Sequence, residues 1–211
     1  MSGELVFYTH PMSRGRIARW MLEEVGQPYQ THILSFGPEM KNDAYRAINP
    51  LGKVPALQHK GVTITECAAI CAYLADAFPG AKLAPALGDP ARGVYYRWLF
   101  FAAGPIEMTV LHRALKFTVP DDKRGMAGAG TVEDVTAALE SAVSQSLYLC
   151  GDQFTAADVY LGSHLFWAMS FGLIEKRPAF EAYWSRLKER PAHLRATEID
   201  DAIIAAQKAA G

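Results

Sequence analysis

Residues 49–76 read NPLGKVPALQHKGVTITECAAICAYLAD, and this stretch decides the fold. Asn49-Pro50-Leu51-Gly52-Lys53 has the composition of a turn. Val54 to Gln58 follows as a strand, Lys60-Gly61 reverses the chain, and Val62-Thr63-Ile64-Thr65 pairs back as a hairpin. From Glu66 to Phe78 the pattern turns helical, with Ala68, Ala69, Ile70, Tyr73, Leu74 and Ala77.

Upstream, Leu5-Val6-Phe7-Tyr8 is an apolar run of strand formers, ended by His10-Pro11. Ser13 stands where an N-cap is expected, and Ile17, Trp20, Met21 and Val25 recur at helical spacing up to Gly26-Gln27-Pro28. Tyr29 to Leu34 reads as a second strand, and residues 39–48 as a weak helix carrying Tyr45 and Ile48. The order predicted is β-α-β-α-β-β-α. Downstream, residues 79–90 (PGAKLAPALGDP) hold three prolines and two glycines and read as a linker. No strand is predicted beyond it. Residues 91–116 form a long helical pattern that Pro105 should kink. A polar, glycine-rich loop spans 121–130, and helices follow at about 131–148, 156–173, 178–189 and 192–209. Two domains result: an α/β domain over 1–80 and an all-α domain over 91–211, joined at 81–90.

The chain has 211 residues with 21 basic and 22 acidic side chains, so no basic excess points to nucleic acid or an anionic membrane. Half the residues are hydrophobic, as in a globular protein with a real core. The opening MSGELVFYTH lacks a cationic leader region, and no apolar run reaches membrane length. Cys67, Cys71 and Cys150 cannot all pair within one chain, which points to free thiols in a reducing, cytoplasmic setting. Cys67 and Cys71 sit four apart but lack further metal-like partners, which argues against a zinc site.

Four constellations carry chemistry. A cis bond at Val54-Pro55 would turn the Val54 N–H and C=O outward for pairing with an extended peptide; a trans proline opening an edge strand is the alternative. Glu66 opens a helix whose N-terminus favours an anion, so Glu66 and that terminus together suit both ends of an α-amino acid; taken alone, the commoner role of such a residue is to serve the helix dipole. Ser13 could donate to a thiolate at a helix start and lower a thiol pKa from its usual ~8.5, with Arg14 and Arg16 adding positive potential, or it could simply cap. Thr155 and Asp158 have the three-residue offset of a capping box, a structural role.

Taken in order, NPLGKVPAL at 49–57, TECAAICAYLAD at 65–76, FTAADVYLG at 154–162 and the opening YTHPMSRGRIARWMLEEVG resemble the cytosolic glutathione transferase superfamily over essentially the whole chain. The resemblance implies a thioredoxin-like N-terminal domain, an all-helical C-terminal domain, glutathione as co-substrate without a metal, a small hydrophobic electrophile in the cleft between the domains, and a homodimer with a role in detoxification. It assigns Val54, before cis-Pro55, to the cysteinyl backbone of glutathione. Glu66 and the Cys67 amide take the γ-glutamyl end, and Lys53 with Lys41 the glycyl carboxylate. Ser13 faces the sulfur, with Tyr8 the runner-up and His10 read as a turn residue. Where the family commonly has Ser after the acidic residue, this chain has Cys67. Trp98, Phe101, Met108, Leu111 and Trp167 are candidates for the electrophile pocket, although helix–helix packing is the commoner use for each. The rival activities on the same scaffold are a glutathione-dependent isomerase, dehalogenase or peroxide reductase, and a non-catalytic interaction protein.

Overall fold

A computed structural model describes residues 4–210. By packing, the chain forms two compact units: one runs up to Lys82 and takes in the segment from Glu189 onward, and the other spans Leu83–Lys188.

In the first unit, β1 (Leu5–Thr9) alternates, with Leu5, Phe7 and Thr9 buried and Val6 and Tyr8 half-buried. It leads to α1 (Gly15–Val25), which buries Ile17, Ala18, Met21, Leu22 and Val25 on one face, together with Trp20. Each large side chain so buried contributes about 1.5–3 kcal/mol. Gly26, at φ 69°, ends the helix by donating its N–H to the Leu22 carbonyl. After β2 (Tyr29–Ile33) the weak helical region splits into α2 (Pro38–Lys41) and α3 (Asp43–Arg46). The break falls at Asn42, which is extended and caps the second piece by accepting the Tyr45 N–H at 2.8 Å. β3 (Ala56–His59) and β4 (Val62–Thr65) form the hairpin, and α4 (Cys67–Ala77) follows. The sheet order is β2-β1-β3-β4, with β1 and β2 parallel and the other pairs antiparallel. This is the thioredoxin-like arrangement.

The second unit is helical. α5 (Ala91–Phe101) continues through a π turn at Ala102–Ile106, which contains Pro105, into α6 (Glu107–Leu115). The proline lacks the N–H an α-turn needs, and the wider turn absorbs it without ending the helix. A 3₁₀ turn at Asp121–Met126 lies within the predicted polar loop, followed by α7 (Val132–Ser144), α8 (Ala156–Ser170) and α9 (Pro178–Lys188). α8 is buried nearly all round, as its apolar sequence requires. At Gly162 a Cβ would overlap the Leu187 side chain, so glycine lets α9 approach.

The last helix, α10 (Pro191–Ala210), packs against α1 and so joins the first unit, although the sequence groups it with its helical neighbours. The reason is electrostatic as well as apolar. Asp200 pairs with Arg19 at 2.8 Å, both side chains being buried, and Arg190 makes a two-pronged bond to Glu24 at 2.7 and 2.8 Å.

Candidate functional site

Strand register brings the predicted site segments to one end of the sheet. Tyr8 sits opposite Ala56, Ala56 opposite Thr65, and Thr9 beside Ile33. The turns that follow β1, precede β3 and follow β4 therefore converge there. These turns carry Ser13, Val54 and Glu66.

The 49–55 turn is built from within. Tyr45 Oη and Asn49 Nδ2 both donate to the Lys53 carbonyl, at 2.7 and 2.8 Å. Burial pushes the Tyr45 phenol up to about 12, with Tyr8 adding to the effect, so it stays a donor. Lys41 Nζ donates to the Leu51 carbonyl at 2.7 Å and lies over Gly52, which takes φ 57° where a Cβ would meet the Met40 carbonyl. The Val54-Pro55 bond is cis. Val54 precedes the β3 ladder and packs on the small core of Leu34, Met40 and Tyr45. Its main chain makes no backbone hydrogen bond among the described residues. Lys41 and Lys53 are both exposed beside this turn.

Glu66 holds φ 65° and ψ 116° at the N-cap of α4, with its side chain exposed and making no capping bond. That backbone region is unfavourable for a residue with a Cβ and costs on the order of 1–3 kcal/mol. Cys67 is buried, and its thiol donates to the Arg14 carbonyl at 3.6 Å. This contact ties the start of α4 to the start of α1.

Ser13 lies one residue ahead of the N-cap, which is Arg14, rather than at it. Its hydroxyl nevertheless accepts the Gly15 N–H at 2.9 Å and donates to the His10 carbonyl at 2.7 Å. Gly15 is required by space: a Cβ would overlap Thr9 Oγ1. Tyr8 is committed elsewhere. Its hydroxyl donates to Gln58 Oε1 at 3.0 Å, and its ring stacks on His32 at 5.0 Å.

Sequence reasoning missed two features. His10 is more than a turn residue: it is buried, its Nδ1 accepts the Met12 N–H at 3.1 Å, and its ring lies 3.9 Å from that of Phe36. The signal available was a His-Pro pair ending a strand three residues before a serine. The second is Asp200, whose carboxylate binds Arg19 and whose charge is felt at His10. Only long-range packing could have revealed it.

In the helical unit, Trp98 and Phe101 meet edge to face at 5.4 Å, and Trp167 packs against His164 at 6.2 Å. Met108 and Leu111 are exposed on α6. A cleft of about 690 Å³ in this unit is lined by Thr109, His112, Phe117, Val119, Arg124 and Val132 among others, and by none of those five residues. Thr155 and Asp158 form the reciprocal capping box at the start of α8. Among the described residues no cluster of three or more potential ligands could hold a metal ion, and no helix is long and apolar enough to cross a membrane.

A family model for the glutathione S-transferase N-terminal domain matches residues 12–77, and one for the C-terminal domain matches residues 105–191. Among curated relatives, glutathione S-transferase GstA of Escherichia coli O157:H7 is 32% identical over 169 residues, which span 77% of this chain and 78% of that protein. A solved glutathione transferase from Methylococcus capsulatus is similar with a TM-score of 0.78 at 27% identity, covering 94% of this chain and 99% of the other. A sphingomonad glutathione S-transferase, solved in complex with glutathione, gives 0.76 at 27% identity, covering 93% and 98%.

Proposed function

This chain belongs to the glutathione S-transferase family and is a glutathione transferase, and we propose that it activates the glutathione thiol with the hydroxyl of Ser13. Val54 pairs with the cysteinyl backbone of the tripeptide. Glu66 takes its ammonium group, and the Cys67 N–H at the start of α4 takes the adjacent carboxylate. Lys53 and Lys41 neutralise the glycyl carboxylate. The thiol proton leaves to solvent and the thiolate remains. Its lone pair then forms a bond to the electrophilic carbon of a small hydrophobic substrate, and the leaving group departs with its own electron pair. Trp98, Phe101, Met108, Leu111 and Trp167 are our candidates for holding that substrate.

The observation that carries this reading is the hydrogen-bond state of Ser13. Its oxygen is fixed by the Gly15 N–H, so the hydroxyl can turn from the His10 carbonyl to a sulfur without losing its anchor. The helix dipole then acts in the same direction as the donated proton. Tyr8, bonded to Gln58, offers no such freedom. The test is the pH dependence of thiolate absorbance in the glutathione complex. Ser13→Ala should raise the pKa of the bound thiol by about one to two units, while glutathione affinity stays nearly intact. Activity near neutral pH should fall and partly recover at higher pH, where more thiol ionises unaided. Tyr8→Phe should leave the titration in place; the opposite pattern would reverse the two roles.

We further propose that the protein works as a homodimer in the cytoplasm, in detoxification. Exposed apolar side chains on α5, Val94 and Phe100, support a partner surface. The cysteine pattern supports a reducing compartment. Light scattering coupled to gel filtration tests the dimer.

A further inference from the structure

We propose that His10 is a positioning residue for thiol activation, holding the Ser13 hydroxyl at the start of α1 through a clasp on the turn between them. The inference rests on the reading of Ser13 above and says what keeps that side chain in place.

Three bonds within six residues define the clasp. Met12 N–H donates to His10 Nδ1 at 3.1 Å, Ser13 Oγ donates to the His10 carbonyl at 2.7 Å, and Gly15 N–H donates to Ser13 Oγ at 2.9 Å. Because Nδ1 accepts, the ring carries its proton on Nε2. A protonated ring would set donor against donor at Met12. Burial lowers the His10 pKa, and the Asp200 carboxylate from α10 acts against that shift. The ring is held against Phe36, 3.9 Å between centroids, so Nδ1 keeps its aim. Once the Ser13 hydroxyl has turned to the sulfur, the bonds to His10 Nδ1 and from the Gly15 N–H are the ties that remain, and without the imidazole the Met12 N–H loses its acceptor and the turn keeps only the second. A displacement of about 1 Å in a group that meets the reacting atom can cost on the order of a hundred-fold in rate.

The role belongs to one ring nitrogen, which makes it separable. An asparagine oxygen can accept an N–H two residues on, as Nδ1 does here, whereas glutamine places its amide nearer the position of Nε2. Thiolate titrations of the glutathione complex, and kinetics with glutathione and a nitro-activated aryl chloride, would be run on His10→Ala, His10→Asn and His10→Gln. His10→Ala should raise the bound-thiol pKa by about one unit and lower kcat at neutral pH about ten-fold, with little change in KM for glutathione. His10→Asn should restore both, and His10→Gln should restore neither. Added to Ser13→Ala, His10→Ala should have no further effect on the titration. If the alanine variant fails to fold, the asparagine and glutamine pair decides.

Rescue by glutamine and not asparagine overturns the proposal, as does an unmoved titration in His10→Ala, or an added shift in the double variant. An unmoved titration in Ser13→Ala overturns the serine reading and this one with it. A shift in Ser13→Ala with none in His10→Ala overturns this one alone.

Discussion

Glu66 and Asp158 each stand at the start of a helix, and only one of them is bonded into it. Asp158 is fully buried and accepts four hydrogen bonds: the Thr155 N–H at 2.8 Å, the Thr155 hydroxyl at 2.9 Å, the Leu149 N–H at 2.9 Å and the Tyr183 hydroxyl at 2.8 Å. Burial raises its pKa above the ordinary carboxylate value, and these four donors oppose that rise without cancelling it. Glu66 is exposed, gives no bond to α4, and holds a backbone conformation that disfavours any side chain. Both acids satisfy the preference for negative charge at a helix N-terminus. Only Asp158 adds hydrogen bonds to that charge. At Glu66 the unfavourable backbone aims a carboxylate outward, which a cap does not need and an ammonium ligand does.

Substitutions at the two acids should therefore separate stability from binding. Asp158→Ala leaves four donors without an acceptor in a closed interior, and should lower unfolding free energy by about 3–5 kcal/mol. Urea denaturation followed by circular dichroism measures it, and a loss under about 1 kcal/mol would break the contrast. Glu66→Ala should keep the denaturation midpoint and weaken glutathione about ten-fold or more, as expected for losing a charge-assisted bond of roughly 1.5–3 kcal/mol. Unchanged calorimetric affinity in the folded variant would remove Glu66 from the site. Glu66→Gly sharpens the comparison, because glycine accepts φ 65° freely: it should lose glutathione equally while gaining roughly 1 kcal/mol of stability. The smallest effect is expected at Thr131, which with Asp134 forms an exposed capping box on α7. Bonds from the Thr131 N–H and hydroxyl hold the Asp134 pKa below its ordinary value. That contribution is present at neutral pH and lost as pH falls through the folded-state pKa of Asp134. The small destabilisation of Thr131→Ala should accordingly fade in acid, read from melting curves across the carboxylate range.

Much of this was legible in the sequence, because it rests on local chemistry. Alternation marked β1, Lys60-Gly61 marked the hairpin, and helical periodicity with Thr155 and Asp158 marked α8. The convergence of Ser13, Val54 and Glu66 depends on register, which an alternating strand constrains strongly once its buried face is known. What escaped the sequence was non-local or stereochemical. Helix periodicity says that α10 has a face to bury, not against what, and Asp200 lies 181 residues from Arg19. The start of α1 shifted to Gly15 because the Ser13 hydroxyl takes the Gly15 N–H from outside the helix. Asn42 split a predicted helix because its side chain competes with the main chain for the Tyr45 N–H. The positive φ of Glu66 has no sequence signature at all, since glutamate is not a residue that advertises it.

The pairing of Arg19 with Asp200 also sets an order of events at the ribosome. The α/β segment emerges first, carrying in its interior a guanidinium whose carboxylate has not yet been made. The helical segment of residues 83–188 must be synthesised in between, which takes several seconds at ~5–20 residues per second. That segment is one contiguous stretch of sequence, whereas the α/β unit waits for residues 189 onward to complete it. The unit whose strands precede the helical segment is thus completed only after that segment has been made, and a fragment cut at Lys82 would lack Asp200 and stay at the unfinished stage.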